Sequence, residues 1–124
     1  MKSILIVDDD PVSRMLVEAV LEAEGYETRK AGSPEDALEI LKTWGADVIL
    51  VDIQLHGLDN GLEFARRLKA NVATRDTTII AFTAYGERWT AAETAAAGCD
   101  GFMEKPITAA ALDEAVRKAQ GKRR

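Results

Sequence analysis

Four short apolar runs in this chain each stop at a charged or hydroxyl residue, and segments long enough for helices separate them. Ile4-Leu5-Ile6-Val7 runs into Asp8-Asp9-Asp10, and Asp47-Val48-Ile49-Leu50-Val51 runs into Asp52. Thr78-Ile79-Ile80-Ala81-Phe82 ends at Thr83, and Gly101-Phe102-Met103-Glu104 ends at Lys105-Pro106. Runs this short, aliphatic and β-branched, read as strands buried on both faces of a parallel sheet. In an open parallel α/β sheet the ligand crevice lies outside the carboxyl ends of the strands. Carboxylates, a hydroxyl and an ammonium group are therefore expected to converge on one rim.

The intervening segments supply helices. Residues 11–24 repeat apolar residues at Val12, Met15, Leu16, Ala19, Val20 and Ala23, which this spacing places on one helix face. Asp10 suits the N-cap, Pro11 the first helical position, and Gly25 the stop. Residues 26–31 predict a second strand. Ser33-Pro34-Glu35-Asp36 opens a helix with Ala37, Leu38 and Leu41 inward. A loop at 53–60 leads to a helix over 61–70, with Glu63 and Arg67 spaced to pair at i,i+4. Residues 87–97 predict an alanine-rich helix that buries Ala92, Ala95 and Ala96 and ends at Gly98. The last helix starts at Thr108 and turns Leu112, Ala115, Val116 and Ala119 inward. The order βαβαβαβαβα implies a doubly wound α/β fold with right-handed crossovers and helices on both faces.

At 124 residues the chain is long enough for one core, and a single domain over 1–124 is expected. A net charge of −5 argues against a nucleic-acid partner, with Lys122-Arg123-Arg124 a solvated tail. The start is too short before its aspartates for a signal peptide or a membrane span. Cys99 is alone, so no internal disulfide forms and a reducing, cytoplasmic compartment is expected. It reads as a small buried thiol before the last strand. Met1 abuts the first strand and no linker follows the last helix, which favours a complete single-domain protein.

The rim carries the chemistry. Two like charges about 4 Å apart repel by roughly 4 kcal/mol at an effective dielectric near 20. Asp8, Asp9 and Asp52 on adjacent strand ends need a counter-charge, and a small hard cation supplies one. Mg²⁺ takes few carboxylates and keeps several waters, leaving room for a phosphoryl oxygen. Lys105 is a compact charge suited to phosphate, and Thr83 offers a hydroxyl donor. Asp52 is then the carboxylate able to attack phosphorus. Asp10 is read instead as the helix cap.

Ile-Val-Asp-Asp-Asp-Pro at 6–11, Leu-Val-Asp-Ile at 50–53, Phe-Thr-Ala at 82–84 and Glu-Lys-Pro at 104–106 together resemble the receiver domain of two-component response regulators. The resemblance spans essentially the whole chain and implies the chemotaxis-regulator-like, flavodoxin-like fold with strand order 2-1-3-4-5. By that likeness Asp52 is phosphorylated by a sensor histidine kinase or a histidine phosphotransfer protein. Asp8, Asp9, Asp52 and the Gln54 backbone carbonyl hold Mg²⁺, or Mn²⁺ in its place, with Asp9 a direct ligand and Asp8 acting mainly through water. Thr83, Lys105 and the backbone at Ile53 and Ala84 bind the phosphoryl oxygens. Thr83 and Phe102 form the switch, and the fourth helix, fifth strand and fifth helix form the output face. The resemblance implies a cytoplasmic phosphoacceptor rather than a turnover enzyme, either a monomer or a weak phosphorylation-dependent dimer, with neither nucleic acid nor membrane as partner.

Several residues depart from the common pattern. His56 stands where the loop usually has proline, and Asn60 makes that loop one residue longer. Phe102 lacks a phenolic hydroxyl to fix its inward or outward state. Tyr85 is large for its place beside the site and is a candidate modulator of phosphoryl lifetime by covering the water's approach, whereas Gln54, the second candidate, either orients that water or fills space. Trp89 is a candidate partner anchor, whereas Trp44 reads as a local packing residue. A rival reading takes Asp8-Asp9-Asp10 as the Asp-x-Asp motif of a haloacid-dehalogenase-like phosphatase, with Asp8 the nucleophile and Asp10 the acid. That family wants a further acidic motif after the lysine, where this chain has only helical Asp113 and Glu114, and it gives Asp52 no role.

Overall fold

The computed structural model describes residues 2–53, 60–83, 91–105 and 107–121. In chain order the elements are β1 (Ser3–Val7), α1 (Pro11–Ala23), β2 (Glu27–Ala31), α2 (Pro34–Leu41) and β3 (Val48–Asp52). They continue as α3 (Asn60–Ala70), β4 (Thr78–Thr83), α4 (Ala91–Ala96), β5 (Gly101–Glu104) and α5 (Ala109–Gly121). The strands form one parallel sheet in the expected order β2-β1-β3-β4-β5. The register sets Ile4 beside Val48, Val48 beside Thr78 and Ile80 beside Gly101, so the carboxyl ends of β1, β3 and β4 line up.

Alternation along the strands sorts their side chains onto two faces. Leu5, Val7, Ile49, Val51, Ile79 and Ala81 face the layer that holds Ala37 of α2 and Phe64 and Leu68 of α3. Ile4, Ile6, Val48, Leu50, Ile80 and Phe82 face Val17 and Leu21 of α1 and Leu112 and Val116 of α5. β3 and β4 are buried at every position, the mark of central parallel strands. β2, at the edge, instead exposes Glu27, Arg29 and Lys30, charges that blunt pairing with a second sheet. Trp44 packs against the core, donates from Nε1 to Glu27 at 3.0 Å, and lies under the Arg29 guanidinium.

Local signals end the elements where expected. The Asp10 carboxylate accepts from the Val12 amide at 3.0 Å, and Ser33 Oγ accepts from Asp36 at 3.1 Å. Thr108 Oγ accepts from the Ala111 amide and so caps α5 from outside it. Gly25, at φ 89, ends α1 in a left-handed turn. Tyr26 precedes β2 rather than joining it; its hydroxyl donates to Asp113 at 2.7 Å and ties α5 to that turn. Burial, then the Asp113 carboxylate, pushes the Tyr26 pKa up to about 12.

Two packing expectations are corrected, and the structure settles which arc of α1 is buried. On α1, Val12, Met15 and Leu16 are 61%, 59% and 64% exposed, and Ala19 and Ala23 also face solvent. The buried pair is Val17 and Leu21, because apolar residues surround this helix and its 3.6-residue repeat does not select which arc meets the sheet. In α4, Ala92, Ala95 and Ala96 are exposed while Thr94 is buried, as is Ala97 just after the helix. On α3, Glu63 meets Arg66 at 4.0 Å, one turn away at i,i+3. Cys99 is buried as expected, and burial, with Asp100 beside it, pushes its thiol up to about 12. Among the described residues no helix is long and apolar enough to cross a membrane.

Candidate functional site

The aligned strand ends bring the acidic groups together. Asp8 follows β1 and is fully buried, with its amide donating to the Ala31 carbonyl of β2 at 3.1 Å. One oxygen of its carboxylate accepts from the Asp10 amide at 3.0 Å, and the other accepts from Lys105 Nζ at 3.1 Å. Asp52 is the last residue of β3, rather than the residue after it, and is 6% exposed. Its Oδ2 accepts from the same Lys105 ammonium at 3.1 Å. Asp9 is half-buried, and one carboxylate oxygen from each of Asp8, Asp9 and Asp52 lies within 4.8 Å of the others.

Lys105 reaches this cluster because the chain after β5 stays bonded to β4. Its amide donates to the Thr83 carbonyl at 2.8 Å, and its ammonium sits 5.0 Å from the centroid of the Phe82 ring. Burial alone would lower its pKa, but Asp52 and then Asp8 outweigh that and raise it. One cation thus bridges two buried carboxylates, with a third carboxylate alongside. Three hard oxygen donors in this arrangement suit a small divalent cation with open positions. The donor set fits Mg²⁺.

Thr83 ends β4 with its side chain fully buried. Phe102 lies beside Ala81 in the register, half-buried against the core layer on the α2 and α3 side. The Ile53 amide donates to the Phe82 carbonyl at 3.0 Å, continuing the β3–β4 ladder one residue past the strand. Gln54, His56, Ala84, Tyr85, Trp89 and Pro106 lie outside the described residues, as does the side chain of Asn60.

Two contributors carry no obvious label in the sequence. Gly61, in the first turn of α3, packs on the end of β3: a Cβ there would fall on the Asp52 carbonyl oxygen and lie 2.7 Å from Ile53 Cα. Its amide donates to the Ile53 carbonyl at 3.0 Å, which makes that approach a bonded one. Arg14, one turn into α1, donates to the Asp8 carbonyl at 2.7 Å. A glycine in a helix's first turn and a long cation just past an acidic loop were the only available signals. Beside the rim, a cavity of about 600 Å³ is lined by Asp10, Val12, Leu16, Val20, Lys105 and Ile107.

Residues 4–117 match the response regulator receiver domain family. The chain belongs to that family. The receiver is 32% identical over 120 residues to the polar-differentiation response regulator DivK of Brucella ovis, a match covering 97% of each chain. Among solved structures it resembles the response regulator TrrA of Thermotoga maritima in complex with Mg²⁺-BeF. That likeness has 34% identity and a TM-score of 0.80, covering 96% of this chain and 99% of that one. A CheY-like receiver domain protein of Methanospirillum hungatei is similar at 26% identity and a TM-score of 0.82, covering 99% of this chain and 96% of that one. This receiver is therefore a module of two-component signalling, and its acidic pocket suits Mg²⁺ and phosphorylation.

Proposed function

We propose that this receiver takes a phosphoryl group onto Asp52 from a phosphohistidine of a sensor kinase or phosphotransfer protein. The observation that carries the reading is the single Lys105 ammonium shared by Asp52 and Asp8 beside a third carboxylate. An Asp52 carboxylate oxygen attacks phosphorus, the P–N bond breaks, and the imidazole leaves with the electron pair. Asp8, Asp9 and Asp52 would hold Mg²⁺, with the Gln54 carbonyl as a further ligand. A bound Mg²⁺ supplies charge neutralisation and a polarised phosphoryl oxygen. Lys105 exchanges its carboxylate contacts for the phosphoryl oxygens, joined by the Thr83 hydroxyl and the Ala84 amide. Gln54 and Tyr85 would set how readily water reaches the acyl phosphate. With a small phosphodonor and Mg²⁺, wild type should gain one phosphoryl mass and Asp52→Asn none; a labelled variant would overturn the assignment.

The donor's docking face is the apolar arc of α1. Val12, Met15 and Leu16 stand exposed and lead to the cavity bounded by Asp10 and Lys105, so a histidine-bearing helix seated there brings its imidazole over the rim. Leu16→Asp should slow transfer from a phosphorylated histidine phosphotransfer protein about tenfold, equivalent to about 1.4 kcal/mol of barrier. Labelling by a small phosphodonor should stay at the wild-type rate. Equal slowing with both donors would mean the substitution damages the site instead.

Phosphorylation then shifts a population between two packings. Thr83 moves toward the phosphoryl group, and Phe102 turns from its half-buried position into the vacated space. The altered surface is that of α4, β5 and α5, with Trp89 as a further anchor. The receiver acts as a cytoplasmic single domain over 1–124, a phosphoacceptor that slowly loses its label rather than a turnover enzyme, as a monomer or a weak phosphorylation-dependent dimer. Its acidic balance fits a protein partner rather than nucleic acid.

A further inference from the structure

Asp8 is held at every polar atom described for it. Its amide is bonded to Ala31, its carboxylate to Asp10 and Lys105, and its carbonyl to Arg14. The last of these bonds has a particular leverage. The Asp8 carbonyl belongs to the peptide joining Asp8 to Asp9, so whatever orients that carbonyl orients the plane from which the Asp9 side chain departs. The donor is a guanidinium, and at 2.7 Å the bond is short and charge-assisted.

The space for that guanidinium is itself built. Arg14 is anchored at its backbone by the bond from its amide to the Asp10 carbonyl, and its side chain reaches back to the end of β2. There Gly32 faces it: a Cβ at 32 would lie 3.0 Å from Arg14 Nη1 and 3.6 Å from Cζ. A Cβ at that position would make the guanidinium give by a few tenths of an ångström, and a branched side chain such as valine would crowd it further.

From this geometry we infer that Arg14 is a positioning residue for the cation site, holding the Asp8–Asp9 peptide so that both carboxylates present one oxygen to the same ion. The inference rests on the reading of Asp8, Asp9 and Asp52 as a Mg²⁺ site. It makes a prediction opposite in sign to a purely electrostatic role. As a nearby positive charge Arg14 repels a divalent cation, so its removal would tighten binding. As the support of a ligand-bearing peptide its removal loosens binding, because loss of an outer support costs about ten- to a hundredfold in metal affinity.

The test titrates Mg²⁺ by calorimetry into metal-free wild type, Arg14→Ala, Gly32→Val and the double variant, with a melting curve of each. Arg14→Ala should bind Mg²⁺ about tenfold more weakly. Gly32→Val, which keeps the charge and displaces it, should weaken binding to a similar extent, and the double variant should be no weaker than Arg14→Ala. Tighter or unchanged binding in Arg14→Ala would overturn the inference, as would wild-type affinity in a folded Gly32→Val. Should wild type itself take up no Mg²⁺, the reading of the cation site falls and the positioning role with it. Wild-type binding with an indifferent Arg14→Ala removes the positioning role alone.

Discussion

Gly61→Ala should lower the melting temperature of this receiver by about 10 °C, equivalent to about 3 kcal/mol in a domain of this size. The cause lies at the end of β3. A methyl group at 61 would fall on the Asp52 carbonyl oxygen and press the Ile53 backbone. Neither contact is with a side chain that can swing aside. Moving α3 outward breaks the bond from the Gly61 amide to the Ile53 carbonyl. Moving β3 disturbs a strand buried at all its positions. Relief by the second route also shifts Asp52, so phosphorylation of the surviving folded protein should slow as well. Thermal melts of the metal-free variant decide the matter, and a midpoint within 2 °C of wild type would show that α3 starts farther from β3 than described.

Lys105→Met should destabilise the metal-free receiver by at least about 2 kcal/mol, since it leaves buried Asp8 and Asp52 facing each other without the cation they share. Methionine keeps the apolar stem beside Phe82, so the loss isolates the charge. Mg²⁺ should then stabilise the variant more than wild type, because the ion takes over neutralisation that the ammonium already supplies in wild type. The pH dependence has a definite sign. The Lys105 pKa is raised in the fold, so its contribution is fully present below the ordinary lysine value and fades as pH rises through the raised one. Melts at several pH values with and without Mg²⁺ check both expectations. A variant as stable as wild type in the absence of metal would mean that the two carboxylates do not depend on Lys105.

The rim was legible because strand ends are legible. Short aliphatic runs stopping at Asp8, Asp52 and Thr83 fix where the sheet's carboxyl edge lies, and parallel pairing then brings those residues together whatever the detailed helix packing. The arc of α1 was not legible. Val12, Met15 and Leu16 repeat at helical spacing as well as Val17 and Leu21 do, and only the position of the sheet decides which pair of turns is covered. The alanines of α4 failed for a related reason: small residues fit either side of a helix, so their spacing does not point inward. Arg14 and Gly61 act through backbone carbonyls, of Asp8 and Asp52 respectively, and no residue type at those carbonyls announces the contact. The Ile53 amide is assigned to the rim by likeness alone, and its bond to the Phe82 carbonyl is likewise one that no residue type announces.

Asp52, and not Asp8, is the carboxylate expected to become the acyl phosphate. The two carboxylates touch the same ammonium, so proximity to Lys105 cannot separate them. Their surroundings can. Asp8 is fully buried, with both carboxylate oxygens bonded, while Asp52, at the carboxyl end of the central strand β3, is 6% exposed. The most direct measurement is to phosphorylate the wild-type receiver with a small phosphodonor and Mg²⁺, trap the acyl phosphate by borohydride reduction, and sequence the modified peptide by mass spectrometry. Homoserine is expected at position 52 and unmodified aspartate at position 8. Reduction at position 8, with Asp52 intact, would contradict it and favour the phosphatase-like chemistry in which Asp8 is the nucleophile.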